Sequence, residues 1–391
     1  MTSSWRNWLE ARVAERAGEG LLRQRLTVES PQGREVTVAG RTCLQFCSND
    51  YLGLAASAEL AEAFTRGVED WGVGAGASHL VNGHLLPHEQ LEREFAEFAG
   101  RDGALLFSAG YMANLGVIDA LADRQTEIFE DRLNHASLLD GARLSGARLK
   151  RYRHGDPEHL DTLLASSAAP RKLVVTDGVF SMDGDLAPLP DLVRICQKHD
   201  ALLMVDDAHG IGVLGAGGRG TLEVFGLDQE QVPVLVATFG KALGVAGAIV
   251  SGPDWLIRAL EQFARTSIYT TAQPPALAEA TRAALKMVRE GHALRMQVQM
   301  LVARFRAGCE NLGLPLMDSQ TPIQPLLTGD AARTLEASRR LLEAGILVTA
   351  IRPPTVPARQ GRLRFTFSAA HRLSDVDHLL RVLERELVPW L

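Results

Sequence analysis

Thr238-Phe239-Gly240-Lys241-Ala242-Leu243-Gly244 closes an apolar run, Val232 to Thr238, that reads as a buried strand. Upstream, the run Ala201 to Val205 ends in Asp206-Asp207-Ala208-His209-Gly210. If both runs are parallel strands of one α/β sheet, their carboxyl ends open on one crevice, where such sheets hold their ligands. An amine, a carboxylate and an imidazole would then face each other there.

From about residue 58 to 250, helical and strand signals alternate, the pattern of a mostly parallel sheet. The strand candidates are Ala104–Phe107, Glu127–Phe129, Leu149–Tyr152, Leu173–Thr176, Leu202–Val205, Val234–Thr238 and Gly247–Val250. Helices are expected between them, for example over Leu86–Ala99, Ala113–Leu121 and Leu189–His199. The start predicts an amphipathic helix over 5–25, with Trp5, Leu9 and Val13 on its apolar side, then a hairpin around Ala39-Gly40. Long helices over 273–290 and 293–311 precede shorter mixed elements. The expected fold class is therefore α/β, a seven-stranded-type, mostly parallel sheet with helices on both faces plus a smaller α+β domain. The expected division is 1–50 as helix and hairpin packing with the small domain, 51–290 as the large domain and 291–391 as the small domain.

With 391 residues, 46% of them hydrophobic, the chain can bury a large core. Its net charge of −6 is spread through mixed acidic and basic residues, so nothing resembles the basic stripe of a nucleic-acid binder. Cys43, Cys47, Cys196 and Cys309 show no metal-type spacing, and no metal site is expected. No apolar stretch of membrane-spanning length and no signal-type h-region occurs. The expectation is a reduced, cytoplasmic protein without membrane or nucleic-acid partners.

Several polar groups fall at strand ends. Ser108-Ala109-Gly110-Tyr111 opens a helix whose N-terminal amides would suit a phosphate, although an ordinary tight turn explains it equally. His135 is placed to lie flat against an aromatic ring, Ser181 to donate to a ring hydroxyl, His209 to touch the same ring oxygen, and Thr238 to reach the phosphate. Asp206 ends an apolar strand, where a carboxylate needs a cationic partner such as a pyridinium or a structural arginine. Each feature alone has a plain structural reading. In this order on an α/β pattern, with Lys241 to form a Schiff base, they point to pyridoxal 5'-phosphate. The glycine-rich stretch Gly72 to Ser78 lacks the spacing of a dinucleotide fingerprint and reads as a turning loop.

These motifs, with Ser48-Asn49-Asp50-Tyr51-Leu52-Gly53-Leu54, Gly178–Asp185 and Ser368-Ala369-Ala370-His371, resemble the α-oxoamine synthases over essentially the whole chain. Those are fold type I pyridoxal-phosphate enzymes that join an amino acid to an acyl thioester with loss of CO2. The resemblance implies that Lys241 holds the cofactor and takes the substrate α-proton, that Asp206 pairs with the pyridine nitrogen, and that His135 stacks on the ring. It places Gly110, Tyr111, Ser181, His209 and Thr238 in the cofactor pocket. It assigns Arg364 and Asn49 to the amino-acid carboxylate, Arg23 and Thr355 to the acyl substrate, and Arg352 to a second anion contact. Ile351-Arg352-Pro353-Pro354-Thr355-Val356-Pro357 is most similar to the branch that condenses L-alanine with pimeloyl-CoA or pimeloyl-acyl carrier protein in biotin synthesis, although one glycine-using branch shares its last four residues. Ser78 stands where that branch carries a bulkier threonine, which leaves room for alanine's methyl group. Ala75 and Ala77 depart from the Ser and Gly of many relatives. A homodimer with a shared active site is a further expectation. The alternatives are a glycine C-acyltransferase of the same family and a plain aminotransferase or lyase.

Overall fold

A computed structural model describes residues 2–353, 355–357 and 359–390. The chain forms two units, residues 1–48 with 300–391, and residues 49–299, the second boundary falling inside the helix His292–Asn311. Numbered along the chain, the strands are β1 (Glu35–Val38), β2 (Arg41–Gln45), β3 (Gly103–Phe107), β4 (Thr126–Asp131), β5 (Arg148–Tyr152), β6 (Arg171–Asp177) and β7 (Leu202–Asp206). They continue with β8 (Val234–Thr238), β9 (Ala248–Gly252), β10 (Ile323–Gly329), β11 (Ile346–Leu347), β12 (Thr349–Ile351) and β13 (Gly361–Thr366).

In the unit 49–299, seven strands form one sheet in the order β3-β9-β8-β7-β6-β4-β5. All neighbours are parallel except β9, which runs antiparallel to both β8 and β3. Strand alternation builds a core on each face. Leu173, Val175, Met204, Val234 and Val236 pack with Val117 and Ile118 of the helix Gly110–Leu121 on one side. Val174, Leu203, Val205 and Leu235 pack with Leu192 and Ile195 of the helix Leu189–Lys198 on the other. Both faces of the inner strands are covered, so β7 and β8 are continuous apolar runs, and each buried Val or Leu contributes on the order of 1.5–3 kcal/mol.

The other unit holds two three-stranded sheets, β1-β2-β11 and β10-β13-β12. The single strand expected near 347–350 is two short ones in different sheets, with buried Val348 between them. The first helix ends at Gly18 instead of running to 25, because Gly20 takes a left-handed turn (φ 68°) and Leu21 N–H bonds back to Arg16 O. Its apolar residues are not packed within this unit: Trp5 is 67% and Val13 58% exposed. Among the described residues, no helix is long and apolar enough to cross a membrane.

Candidate active site

The carboxyl ends of β3, β4, β6, β7 and β8 lie at the same edge of the large sheet, since β9 reverses direction twice over. The loops leaving this edge wall a cavity of about 380 Å³. Asn49, Gly110, Tyr111, His135, Ser181, Asp206, His209, Thr238 and Lys241, all nominated by the sequence, line it. A larger hollow of about 700 Å³ in the other unit is walled by groups such as Leu314, Met317 and Val388, with Arg333 and Arg359 as its charged residues. It carries no lysine, imidazole or carboxylate, so chemistry and not volume picks the site.

Asp206 is 5% exposed at the end of β7. Its Oδ2 accepts from Asn114 Nδ2 (2.6 Å) and its Oδ1 from the Ala208 amide (3.0 Å). Asn114 also donates to Ser137 Oγ (2.8 Å), which lies 2.7 Å from His135 Nδ1. His135 caps the helix Ala136–Leu144, its own amide donating to Asp177 Oδ2 (2.7 Å). Burial holds the His135 imidazole below its ordinary pKa; Asp206 opposes this and the Lys241 charge adds to it, so the ring is neutral near pH 7. His209 Nδ1 lies 2.7 Å from the Tyr51 hydroxyl.

Two more carboxyl groups crowd the same edge. Asp177 ends β6 directly opposite Asp206 in register, and burial, then the Asp206 charge, hold it well above the usual carboxylate range. Asp207 is fully buried and pushed up to about 8, chiefly by desolvation. Gly178, Gly210 and Gly220 close around it: a Cβ on Gly210 would stand 2.1 Å from Asp207 Oδ1, and one on Gly220 1.9 Å from Oδ2.

Pyridoxal phosphate fits these residues. The Thr238 hydroxyl is buried with no hydrogen-bond partner among the described residues, as suits a group that waits for a phosphate oxygen. It sits beside Gly110, where a Cβ would come within 2.5 Å of Thr238 Cγ2, so only glycine opens the helix Gly110–Leu121 here. No side chain caps that helix, whose first amides and dipole favour an anion. Asp206, a carboxylate buried at the cavity wall, suits a protonated ring nitrogen, and Lys241 lines the same cavity. Tyr111 lines the cavity but is 42% exposed, and its hydroxyl donates to Asp140, which does not line it.

The nominated substrate residues are placed otherwise. Ser78 precedes the turn His79–Gly83 and does not line the cavity. Arg23, Arg352, Thr355 and Arg364 belong to the other unit. Arg364 is 6% exposed on β13, opposite Pro325 and Thr349. Arg352 donates to the carbonyls of Gly20 and of Leu22 (2.7 Å), while Thr355 is exposed and its amide donates to Arg352 O (3.1 Å). Arg23 faces an open hollow of about 670 Å³ with Leu22 and Pro353.

Asn114, Ser137, Asp177 and Tyr51 escaped the reading of the sequence. Asp177 carried a usable signal, an acid closing an apolar strand just as Asp206 does; Asn114 carried none beyond lying four residues after Gly110. The histidines 79, 84 and 88 also come together, with ligand atoms within 4.8 Å. His88, however, accepts from Leu85 N–H (3.0 Å) and donates to Gln273 O (2.9 Å), which leaves the trio one lone pair short of a three-histidine metal site.

The family model for class I and II aminotransferases matches residues 41–383. An 8-amino-7-oxononanoate synthase of Methylococcus capsulatus is 60% identical over 95% of this chain and 96% of its own length. One of Pseudomonas putida KT2440 is 58% identical, with 96% of each covered. Among solved structures, a serine palmitoyltransferase of S. paucimobilis with bound PLP-myriocin aldimine superposes with a TM-score of 0.93 at 29% identity over 99% of both chains. The 8-amino-7-oxononanoate synthase of Francisella tularensis does so at 0.77 and 31% identity, over 88% of this chain and 98% of its own. The chain belongs to the class I and II aminotransferase family and, within it, to the group of the 8-amino-7-oxononanoate synthases.

Proposed function

We propose that this protein condenses L-alanine with a pimeloyl thioester, carried on CoA or acyl carrier protein, to give 8-amino-7-oxononanoate, the free thiol and CO2 for biotin synthesis. The observation that carries the reading is the unpartnered Thr238 hydroxyl in the cavity that Lys241 and Asp206 line, in a chain 60% identical to a synthase of that name. Bound pyridoxal phosphate supplies an electron sink for the charge left on the alanine Cα.

The chain's own residues do the rest. Lys241 Nζ anchors the cofactor and, once displaced, takes the proton from alanine Cα; a lysine in a desolvated crevice is the better base. Asp206, fixed in one orientation by Asn114 and the Ala208 amide, holds a proton on the ring nitrogen. Thr238 and the first amides of the helix Gly110–Leu121 take the phosphate. Ser181 and His209 donate to the ring oxygen, and the neutral His135 offers its face without adding charge. Arg364 and Asn49 bind the alanine carboxylate, and Arg23 and Thr355 the acyl chain, with Ser78 leaving space for the methyl group. Arg352, as a second anion contact, would use the guanidinium donors that the carbonyls of Gly20 and Leu22 leave over. The alanine Cα forms a bond to the thioester carbonyl carbon, the C–S bond breaks, and the original carboxylate leaves as CO2.

The proposal includes a homodimer, which would cover the exposed Trp5, Leu9 and Val13, and a cytoplasmic setting, which suits four free thiols. Light scattering tests the first. The activity is tested by thiol release from pimeloyl-CoA by cofactor-loaded protein, with L-alanine and glycine in parallel. Release that depends on L-alanine supports the reading; release with glycine and acetyl-CoA alone moves the protein to the glycine C-acyltransferases.

A further inference from the structure

His154 follows β5 and is absent from the cavity wall, yet it touches both loops that bring ring-facing side chains there. Its Nδ1 lies 3.0 Å from Asp131 Oδ1 and its Nε2 2.9 Å from Asp185 Oδ2. Both partners are carboxylate oxygens, which accept but do not donate, so both ring nitrogens carry protons and the ring is an imidazolium. Burial works against that charge, but the hydrogen bonds to Asp131 and Asp185 outweigh it and push its pKa up to about 10. Asp183 offers a third carboxylate within 4.8 Å.

Asp131 and Asp185 are rooted in different loops. Asp131 ends β4; its oxygens also accept from the amides of Leu133 (2.8 Å) and Gly155 (2.9 Å), which shapes the segment leading to His135. Asp185 closes the turn around Ser181: its carbonyl accepts from Phe180 N–H (3.0 Å), and Gly184 N–H donates to Phe180 O (2.7 Å). The His154 ring meets Phe180 edge to face at 4.4 Å, which adds an apolar contact on the same turn.

We propose that His154 is a positioning residue: bonded to Asp131 and Asp185 at once, it fixes the loop carrying His135 and the loop carrying Ser181 relative to each other, so that the cavity is shaped for the cofactor ring before the cofactor arrives. The inference rests on the pyridoxal-phosphate reading of that cavity. Its function is preorganisation, which appears as cofactor affinity because loops already in place cost nothing to order on binding.

The test is titration of apoprotein with pyridoxal phosphate, followed by absorbance, together with thermal melting of the apoproteins. H154Q keeps the size and one donor but loses the charge and the second bond. It should weaken cofactor binding by about tenfold, the scale of a lost hydrogen bond to a charged group. In a chain that lacks both positioned side chains, H135A/S181A, the same change should cost less than about threefold, because there is nothing left to position. D185N, a milder break of the same link, serves if H154Q does not fold. An equal loss in both backgrounds, or a lowered melting temperature with unchanged affinity, would make His154 merely structural and overturn the proposal. Failure of the wild-type apoprotein to take up pyridoxal phosphate would instead overturn the cofactor reading itself.

Discussion

The cavity around Lys241 and the segment around Arg352 both consist of residues chosen from the sequence for their chemistry, yet the structure uses them in opposite ways. In the cavity a bond is left unmade: the Thr238 hydroxyl is buried with no partner among the described residues, beside the buried carboxylate of Asp206. At Arg352, the bonds are spent on the carbonyls of Gly20 and Leu22. Folding rarely tolerates unmet polar groups in the interior, since each costs roughly 1–3 kcal/mol. Where one lines a cavity, a ligand is the economical explanation. Where a guanidinium already binds two carbonyls of its own chain, structure is.

The contrast ranks the expected effects of substitution. Lys241→Ala should abolish turnover and the visible absorbance of the lysine-bound cofactor; turnover in a variant with bound cofactor would break the cavity half of the comparison. Asp206→Asn should cost roughly 3–5 kcal/mol, the scale of removing one partner of a buried ion pair. That is about two to four decades in kcat/KM, and a loss below tenfold would mean that some other group protonates the ring. Thr238→Val should cost roughly 1.5–3 kcal/mol in cofactor affinity, as for a hydrogen bond to a charged group; an equilibrium titration of the apoprotein reads this directly. Arg352→Gln should leave kcat and the KM for both substrates within about threefold and lower stability by about 1 kcal/mol, the yield of an ordinary hydrogen bond. A tenfold rise in the KM for the acyl donor would return Arg352 to the substrate site.

A separate effect is in pH. His154 titrates near 10 in the folded protein and near 6.5 when unfolded, so between those values the folded chain holds the extra proton. Its stabilising contribution is complete below about 6.5 and is lost as the pH rises through 10. Melting temperatures of wild type and H154Q should therefore converge at high pH; a constant gap from pH 6 to 11 would contradict the charge assigned to the ring.

Much of this was legible in the sequence where one physical rule acts alone. The inner strands of the large sheet stood out because both faces are buried and the runs are continuously apolar, as Leu173–Thr176 and Leu202–Val205 show. Lys241, Asp206 and Thr238 were legible because they follow such runs directly. The antiparallel course of β9 was not, since apolar runs carry no direction. Nor was the split between β11 and β12, because buried Val348 continues the apolar pattern across the break. Asn114 and His154 were hidden for another reason: their importance lies in partners 92 and 31 positions away, on other elements. Arg352 misled in the same way, its guanidinium being answered by carbonyls 330 and 332 positions back.

The most direct test of the comparison is a spectrophotometric titration of three apoproteins with pyridoxal phosphate: wild type, Lys241→Ala and Arg352→Gln. Wild type and Arg352→Gln should develop the same visible band at the same concentrations, and Lys241→Ala should develop none. A band in Lys241→Ala, or its loss in Arg352→Gln, would contradict the claim that the unspent bonds mark the site and the spent ones do not.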